Sequence, residues 1–201
     1  MANDKLPVME QFYTIQGEGR FTGHAAYFIR LAGCDVGCVW CDVKESWHTD
    51  NYPKISPKEL ADETSKNAST IVVITGGEPA MYDLSELCNE LHDVGKKVHI
   101  ETSGAHELKG QFDWVTLSPK KFKPPVSSSY AVANELKIIV FNKSDFEWAK
   151  QFRKLVPKNC LLYLQPEWSK RDEMEPLIID FVKNNPEWNI SLQTHKYLDI
   201  P

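Results

Sequence analysis

The sequence has no long apolar run and no excess of basic residues. No stretch approaches the roughly 18 consecutive apolar residues that indicate a membrane span, and Met1–Lys5 lacks the apolar core of a signal peptide. We therefore expect a cytoplasmic protein with no membrane partner. A formal net charge of -5 argues against a nucleic-acid partner, because proteins that bind phosphates usually carry a basic stripe.

Cysteine is scarce and unevenly placed. There are 5 cysteines; Cys34, Cys38 and Cys41 share one short segment, whereas Cys88 and Cys160 stand apart. An odd, clustered set excludes the disulfide framework of a small secreted domain. In a reducing cytosol, clustered thiolates more often bind a metal centre, since they are soft ligands. We expect the two isolated cysteines to be small buried hydrophobic residues.

The length and composition fit an ordinary globular protein. The chain has 201 residues, of which 42% are hydrophobic and 25% are charged. These values predict a folded chain with one buried core, organised as a single domain over residues 1–201.

The hydrophobic pattern alternates between short β-rich runs and longer helical runs, which predicts an α/β fold with a mainly parallel sheet. The predicted strands are Ala26–Leu31, Thr70–Thr75, Lys97–Glu101, Trp114–Ser118, Glu135–Phe141, Leu161–Gln165 and Ile190–Gln193. The predicted helices are Ser56–Lys66, Asp83–Val94, a helix opened by a capping box at Ser144–Glu147, and Met174–Asn184.

The number of strands and the chain length together indicate a partial barrel. Strands outnumber helices, and the chain is near the lower limit for an eightfold barrel, so we expect an open TIM-like barrel. The functional site should then lie at the C-terminal ends of the strands. The segment Pro124–Ser129 is expected to be an exposed loop.

The first motif is a C-x3-C-x2-C run formed by Cys34, Cys38 and Cys41, directly after a predicted strand. Three thiolates can hold three irons of a 4Fe-4S cluster and leave the fourth iron open to a substrate or cofactor. Clusters that only carry electrons use four protein thiolates. Two alternatives are a structural zinc site with a fourth ligand such as His48, or three cysteines without a metal.

The second motif is Gly76-Gly77-Glu78-Pro79, which follows the apolar run Ile71–Thr75. Paired glycines let backbone groups approach a ligand closely, and Glu78 could bind an ammonium group. Taken alone, the same pattern is also typical of a tight turn.

Together, the two motifs resemble the radical S-adenosylmethionine superfamily. Further segments resemble the 7-carboxy-7-deazaguanine synthase family within it, and these matches span nearly the whole chain. They are Tyr13–Gly19, Phe28–Cys34, Glu101–Gly104, Ser118–Lys120 and Gln193–Pro201.

The resemblance implies a specific fold, activity and set of partners. It implies an abbreviated barrel, usually a homodimer, with a 4Fe-4S cluster, S-adenosylmethionine and a flavodoxin or ferredoxin as reductant. In this family a 5'-deoxyadenosyl radical abstracts hydrogen from C6 of 6-carboxy-5,6,7,8-tetrahydropterin. The ring contracts, ammonia leaves, and 7-carboxy-7-deazaguanine enters queuosine and other deazapurine pathways.

The resemblance also implies residue roles at the cofactor. Cys34, Cys38 and Cys41 would ligate the cluster, Gly77 would meet the methionine amino group, and Glu101 would contact the ribose. The full set implied for S-adenosylmethionine is Trp40, Cys41, Asp42, Gly77, Glu78, Glu101, Ser118, Pro119, Lys120, Gln165, Pro166, Glu167 and Trp168.

A second set of residues is implied for the pterin, whose edge presents both hydrogen-bond donors and acceptors. The guanidinium of Arg30 suits a planar carboxylate, because it can bind both oxygens. A surface ion pair is the alternative for Arg30, and a packed core or surface histidine is the alternative for His195. The implied set is Ile15, Gln16, Gly17, Glu18, Arg30, Thr75, His195 and the terminal carboxylate of Pro201.

One position departs from the family pattern. Many members have Thr or Ser after the Cys-Asp pair, where its hydroxyl binds a Mg²⁺ ion that also contacts the substrate. Here that residue is Val43, whose side chain offers no oxygen for the octahedral coordination that Mg²⁺ prefers. We therefore expect a weaker dependence on Mg²⁺.

Two other functions would also fit parts of the pattern. A glycyl-radical activase has the same cysteine spacing, but its substrate is a protein and it has no use for a terminal carboxylate in the active site. A non-catalytic iron-sulfur or zinc protein would bind a metal without cleaving S-adenosylmethionine.

Overall fold

A computed structural model describes residues 5–41 and 43–201 of the chain. These residues form one open sheet with the strand order β3-β1-β2-β4-β5-β6-β7-β8-β9. The strands are β1 (Leu6–Ile15), β2 (Ala25–Leu31), β3 (Lys54–Ile55), β4 (Ile71–Gly76), β5 (Lys97–Thr102), β6 (Trp114–Leu117), β7 (Glu135–Val140), β8 (Leu161–Pro166) and β9 (Trp188–Ile190).

The sheet is mostly parallel. β1 pairs antiparallel with both β2 and β3, and every pair from β2 to β9 is parallel. The α/β class and the open, mainly parallel barrel expected from the sequence are confirmed.

Helices connect the parallel strands. They are α1 (Pro57–Ser65), α2 (Ser85–Asp93), α3 (Ser127–Ala131), α4 (Ser144–Arg153), α5 (Arg171–Asn184) and α6 (Thr194–Leu198). In α1 the predicted capping box is present, with the Ser56 hydroxyl accepting the Glu59 N–H. Among the described residues, none of the helices has the length and apolarity needed to cross a bilayer.

The parallel strands have one apolar face and one mostly polar face. In β7, Leu136, Ile138 and Val140 pack in the hydrophobic core, while Glu135 and Lys137 lie on the other face. Since side chains alternate along a strand, this pattern places helices on the apolar face. It leaves the polar face to form the site.

Two hydrophobic clusters fill the space between sheet and helices. The first joins β1, β2, β4 and β5 to α1 and α2, with Leu60 and Leu87 completely buried. The second joins β7, β8 and β9 to α4 and α5 around Trp188. Cys88 belongs to the first cluster and Cys160 to the second, both buried as expected.

The structure differs from the sequence expectation at both ends of the sheet. β1 and β3 were not predicted, because β1 mixes polar and apolar residues and lies beside the edge of the sheet rather than in its buried centre. The last strand was predicted at Ile190–Gln193, but β9 ends at Ile190. Beyond it, Ser191 is buried whereas Leu192 is exposed.

Two local predictions were wrong. Ser144 does not form a capping box, because Lys143 is the N-cap of α4 and the buried Asp145 carboxylate instead accepts the N–H groups of Phe141 and Asn142. The segment predicted as an exposed loop enters α3, where buried Ser129 donates a hydrogen bond to the Gly104 carbonyl at 3.0 Å.

Candidate active site

A cavity of about 290 Å³ opens at the C-terminal ends of the parallel strands. Its position agrees with the expectation for a barrel. It is bordered by the cysteine loop, the ends of β4 to β8, the Ile15–Glu18 segment and the C-terminal residues.

The cysteine loop forms one wall of this cavity. Cys34, Cys38 and Cys41 all line it, and they pack together with Val36 and Ala105. Burial raises the pKa of the Cys34 thiol and raises that of Cys38 to about 11. Metal binding would have to displace these protons, because the thiolate is the ligand.

The cysteine loop is braced from outside the cavity. Asp35, next to Cys34, accepts hydrogen bonds from Lys123 at 2.6 Å and contacts His106 Nε2 at 3.0 Å. These contacts join the loop to segments that follow β5 and β6.

The donor set on this wall is three thiols, which suits the thiolate ligation of an iron-sulfur cluster. The fourth ligand considered for zinc, His48, is exposed and does not line the cavity. Across residues 5–41 and 43–201, no three His, Cys, Asp or Glu side chains are grouped for a single metal ion.

The paired glycines pass directly beneath the cysteine loop. A Cβ on Gly77 would lie 2.2 Å from the Gly33 carbonyl oxygen and 2.9 Å from Cys34 Cβ. The Gly76 φ of 139° is in a region that favours glycine, and a Cβ there would lie 2.1 Å from the Leu31 carbonyl oxygen. Only glycine therefore permits the end of β4 to approach the cysteine loop this closely.

Glu78 is buried and fully hydrogen-bonded within the protein. One carboxylate oxygen accepts the Ala80 N–H at 3.0 Å and the Thr102 hydroxyl at 2.5 Å. The other accepts the Ser103 N–H at 2.8 Å and the Ser103 hydroxyl. Because these donors occupy the acceptor capacity of a carboxylate, Glu78 is engaged in tying β4 to β5 and has no acceptor position left for an ammonium group.

A buried charge network forms the floor of the cavity. The Lys137 ammonium contacts the Glu18 carboxylate and lies 3.5 Å from Glu101. Gln16 donates to Glu101 at 3.0 Å and accepts the Glu18 N–H at 3.0 Å. The network therefore links a residue implied for the pterin to one implied for the ribose.

Lys137 controls the ionisation of this network. Burial by itself raises the pKa of Glu18, but the adjacent Lys137 ammonium, together with His195 and the Gln193 hydrogen bond, outweighs burial and holds the pKa at about 2. Burial lowers the pKa of Lys137, and the surrounding carboxylates Glu101 and Glu18 raise it well above its usual value. Both groups are thus charged at neutral pH.

The C-terminal segment closes the side of the cavity that carries residues implied for the pterin. His195 packs on Gly17, where a Cβ would lie 2.3 Å from the His195 Nδ1. Gln193 donates to Glu18 at 3.1 Å, and the Thr14 hydroxyl donates to an oxygen of Pro201 at 3.2 Å. The end of the chain thus lies beside the first strand.

Arg30 forms the ion pair that was the alternative interpretation, and it also lines the cavity as a substrate ligand would. Its Nε donates to Glu10 at 2.6 Å, which is the ion pair considered as the alternative, and the same side chain lines the cavity. The ion pair therefore orients an arginine that also faces the cavity.

Another part of the cavity lining, next to the cysteine loop, carries the groups implied for the rest of the cofactor. Lys120 donates to the Ser118 carbonyl at 2.7 Å and to its hydroxyl at 2.6 Å. Its ammonium lies 5.8 Å from the centre of the Trp40 ring. The Trp168 ring is flanked by the Arg171 guanidinium at 4.4 Å.

Nearly all predicted site residues line this one cavity. Among the described residues, Pro119 is the exception, since it is buried outside the lining. Asp42 lies outside the described residues, so its role stays a prediction. The residues brought together are Ile15, Gln16, Gly17, Glu18, Arg30, Cys34, Cys38, Trp40, Cys41, Thr75, Gly77, Glu78, Glu101, Ser118, Lys120, Gln165, Pro166, Glu167, Trp168, His195 and Pro201.

Several cavity residues had no role assigned from the sequence. The most important is Lys137, and its signal was a lysine within the buried strand Glu135–Val140, whose last three residues are all apolar. The others are Phe12, Phe28, Val36, Ser46, Trp47, Thr102, Ser103, Ile139 and Gln193.

Residues 28–157 match the family model described as Radical SAM superfamily. A 7-carboxy-7-deazaguanine synthase of Flavobacterium psychrophilum is 55% identical over 98% of this chain and 94% of its own length. A 7-carboxy-7-deazaguanine synthase of Synechocystis is 46% identical over 96% of this chain and 93% of its own.

A solved structure shows the same fold. The crystal structure of QueE from Escherichia coli superposes with a TM-score of 0.87 at 35% identity, and the match covers 95% of each chain.

Proposed function

Since the chain belongs to the 7-carboxy-7-deazaguanine synthase family of radical S-adenosylmethionine lyases, we propose that its cavity binds 6-carboxy-5,6,7,8-tetrahydropterin. The product is 7-carboxy-7-deazaguanine, the second product is ammonia, and the pathway is that of queuosine and other 7-deazapurines. The observation that carries this proposal is the single cavity that holds both the three-cysteine wall and the Gln16, Glu18 and Lys137 network.

We assign Cys34, Cys38 and Cys41 as the ligands of the 4Fe-4S cluster. The supporting observations are the three-thiol donor set and the absence of side chains at Gly76 and Gly77. When bound, the cluster and S-adenosylmethionine supply the radical that abstracts a substrate hydrogen.

The protein groups beside the cysteine loop then bind different parts of S-adenosylmethionine. Gly77 offers its backbone carbonyl to the methionine amino group, because its N–H donates to the Leu31 carbonyl at 2.9 Å. Glu101 faces the ribose. Lys120, held by Ser118, supplies a positive charge for the carboxylate, while Gln165 and Trp168 border the remaining space. Glu78 acts by positioning, because its oxygens bind only protein donors.

The pterin is recognised by groups of opposite character on its two sides. Glu18, which is ionised, accepts from N–H donors of the pterin edge, and Gln16 can both donate and accept. Arg30 offers a cation to the substrate carboxylate. His195 and the Pro201 carboxylate enclose the substrate from the C-terminal side.

We propose that Mg²⁺ has little importance for this chain. Val43 lines the cavity where many relatives carry a hydroxyl, and its side chain has no oxygen to offer. Removing Mg²⁺ with a chelator should change turnover by less than about threefold, whereas Val43→Thr should create a clear Mg²⁺ requirement. A large loss of wild-type turnover without Mg²⁺ would contradict this interpretation.

We further infer that residues 1–201 act as one domain, that two chains form a homodimer, and that a flavodoxin or ferredoxin donates the electron. These inferences rest on family membership. Sedimentation measurements test the dimer, and reduction assays with each purified donor test the reductant.

The deciding experiment is an anaerobic assay of the reconstituted enzyme. Dithionite, S-adenosylmethionine and 6-carboxy-5,6,7,8-tetrahydropterin are added, and 7-carboxy-7-deazaguanine and 5'-deoxyadenosine are measured by mass spectrometry. We expect the wild type to form both compounds. The control variant, Cys38→Ala, should form neither. Formation of 5'-deoxyadenosine without 7-carboxy-7-deazaguanine would refute the substrate, and the activase function would then be tested with a tag fused after Pro201.

A further inference from the structure

Glu135 is a buried carboxyl group that does not line the cavity. It lies at the start of β7, two residues before Lys137 on the same face of the strand, and is only 2% exposed. Burying a carboxyl group costs free energy unless it is hydrogen-bonded. Its presence beneath the cavity floor therefore requires a specific partner.

The partner is the backbone of the loop that carries the pterin-binding residues. One Glu135 oxygen accepts the Arg20 N–H at 3.0 Å. The other lies so close to Gly19 that a Cβ there would be 2.0 Å away, and Gly19 has a φ of 63°. The Glu135 carboxyl group thus fits a loop conformation that glycine alone adopts easily.

Two further contacts hold the same loop from the neighbouring strands. The Gly19 N–H donates to the buried Ser191 hydroxyl at 3.0 Å, and Ser191 in turn donates to Gln165 at 2.7 Å. The Gly17 carbonyl accepts the Thr194 N–H at 2.9 Å. The back of the loop is therefore fixed to β7, β8 and the C-terminal segment.

The front of the loop carries Gln16 and Glu18 into the cavity, where they meet Glu101 and Lys137. Since Gly19 directly follows Glu18 and Arg20 directly follows Gly19, a displacement at Glu135 is transmitted directly to Glu18. We propose that Glu135 is a positioning residue for the substrate, holding the backbone at Gly19 and Arg20 so that Gln16 and Glu18 face the pterin. This inference rests on the proposed function.

The surroundings of Glu135 make the contact sensitive to pH. Burial raises its pKa to about 7, against the opposing effects of Lys137 and the Arg20 N–H. A hydrogen bond to an ionised carboxylate is stronger than one to a neutral carboxyl group, so the loop is held more firmly above pH 7. The charged and polar groups that face Glu135 from the elements around it are Arg20, Glu101, Trp114, Lys137, Cys160 and Tyr163.

The test measures equilibrium binding of 6-carboxy-5,6,7,8-tetrahydropterin by anaerobic calorimetry. The protein is the reconstituted enzyme with S-adenosylmethionine and no reductant, so no turnover occurs. Glu135→Ala leaves the Arg20 N–H unpaired, and we expect the pterin Kd to rise about tenfold or more, with the Kd for S-adenosylmethionine changed less than about twofold. Glu135→Gln keeps an acceptor but cannot ionise, so its Kd relative to wild type should be near 1 at pH 6 and about 5 at pH 8.

Asp145→Ala is the matched control, because Asp145 is also a buried carboxylate that accepts two backbone N–H groups, but at the start of α4. It should lower the melting temperature without changing the pterin Kd. The proposal is overturned if Glu135→Ala binds pterin like wild type or if it loses both ligands equally. Failure of the wild type to bind the pterin would instead refute the proposed function. If Glu135→Ala does not fold, Glu135→Gln decides, and pterin binding like that of wild type at pH 8 would then overturn the proposal.

Discussion

Replacing Lys137 by methionine is the sharpest test of the charge network in the cavity floor. Methionine keeps most of the side-chain volume but removes the ammonium group that pairs with Glu18 and lies 3.5 Å from Glu101. Because the Lys137 side chain is only 5% exposed, little water can reach the position of the lost ammonium and stabilise the carboxylates left behind. Removing one partner of a buried ion pair typically costs about 3–5 kcal/mol of unfolding free energy.

The cost should depend on pH in a defined direction. In the wild type the pKa of Glu18 is held at about 2, so its contribution to stability is present above its unfolded pKa and is lost as the pH falls toward 2. In Lys137→Met the burial of Glu18 is no longer opposed by the ammonium, so its pKa should rise above the unfolded value. The penalty should therefore be about 4 kcal/mol at pH 7.5 and should fall by about half or more at pH 5, where the carboxyl group can take up a proton.

Urea unfolding followed by tryptophan fluorescence measures this difference, under anaerobic conditions and at equal iron content for both proteins. Lys58→Met is the control, because Lys58 and Asp62 form an exposed pair at 3.5 Å, and pairs of this kind contribute about 0–1 kcal/mol. A Lys137→Met penalty below about 1 kcal/mol, or one that is equal at both pH values, would refute the assigned role of Lys137.

Two further predictions concern the end of β4. Glu78→Gln replaces an acceptor oxygen by an amide donor that faces the donors of Thr102 and Ser103. We therefore expect a loss of about 3 kcal/mol of unfolding free energy in urea titrations. A loss no larger than that of the control Glu63→Gln would contradict the positioning role of Glu78. Gly77→Ala places a Cβ 2.2 Å from the Gly33 carbonyl oxygen, so the iron content after reconstitution should fall by more than half. The control is Gly23→Ala, which has open space around its Cβ and should retain its iron. Normal iron content in Gly77→Ala would exclude the predicted clash.

The apolar strands and the capped first helix could be predicted because their signals are local. β2 and β4 are short, mainly apolar runs in the buried centre of the sheet, and the Ser56 capping box involves residues three apart. β1 has no such signal, since it pairs antiparallel at the edge side of the sheet and has a half-polar sequence. At Ser144 the local signal was present, but hydrogen bonds to Asp145 defined the start of the helix differently.

The sequence by itself determined the cysteine wall, the glycine pair beneath it and the segments that meet at the strand ends, because each is a compact motif at the end of an element. The tertiary structure alone decided which polar and charged groups that are far apart in the chain come into contact. Lys137 and Glu18 are 119 residues apart, and Thr14 and Pro201 are 187 apart. Their contacts depend on strand order and register, which bring distant side chains to one face of the sheet, and no local pattern of residues encodes that arrangement.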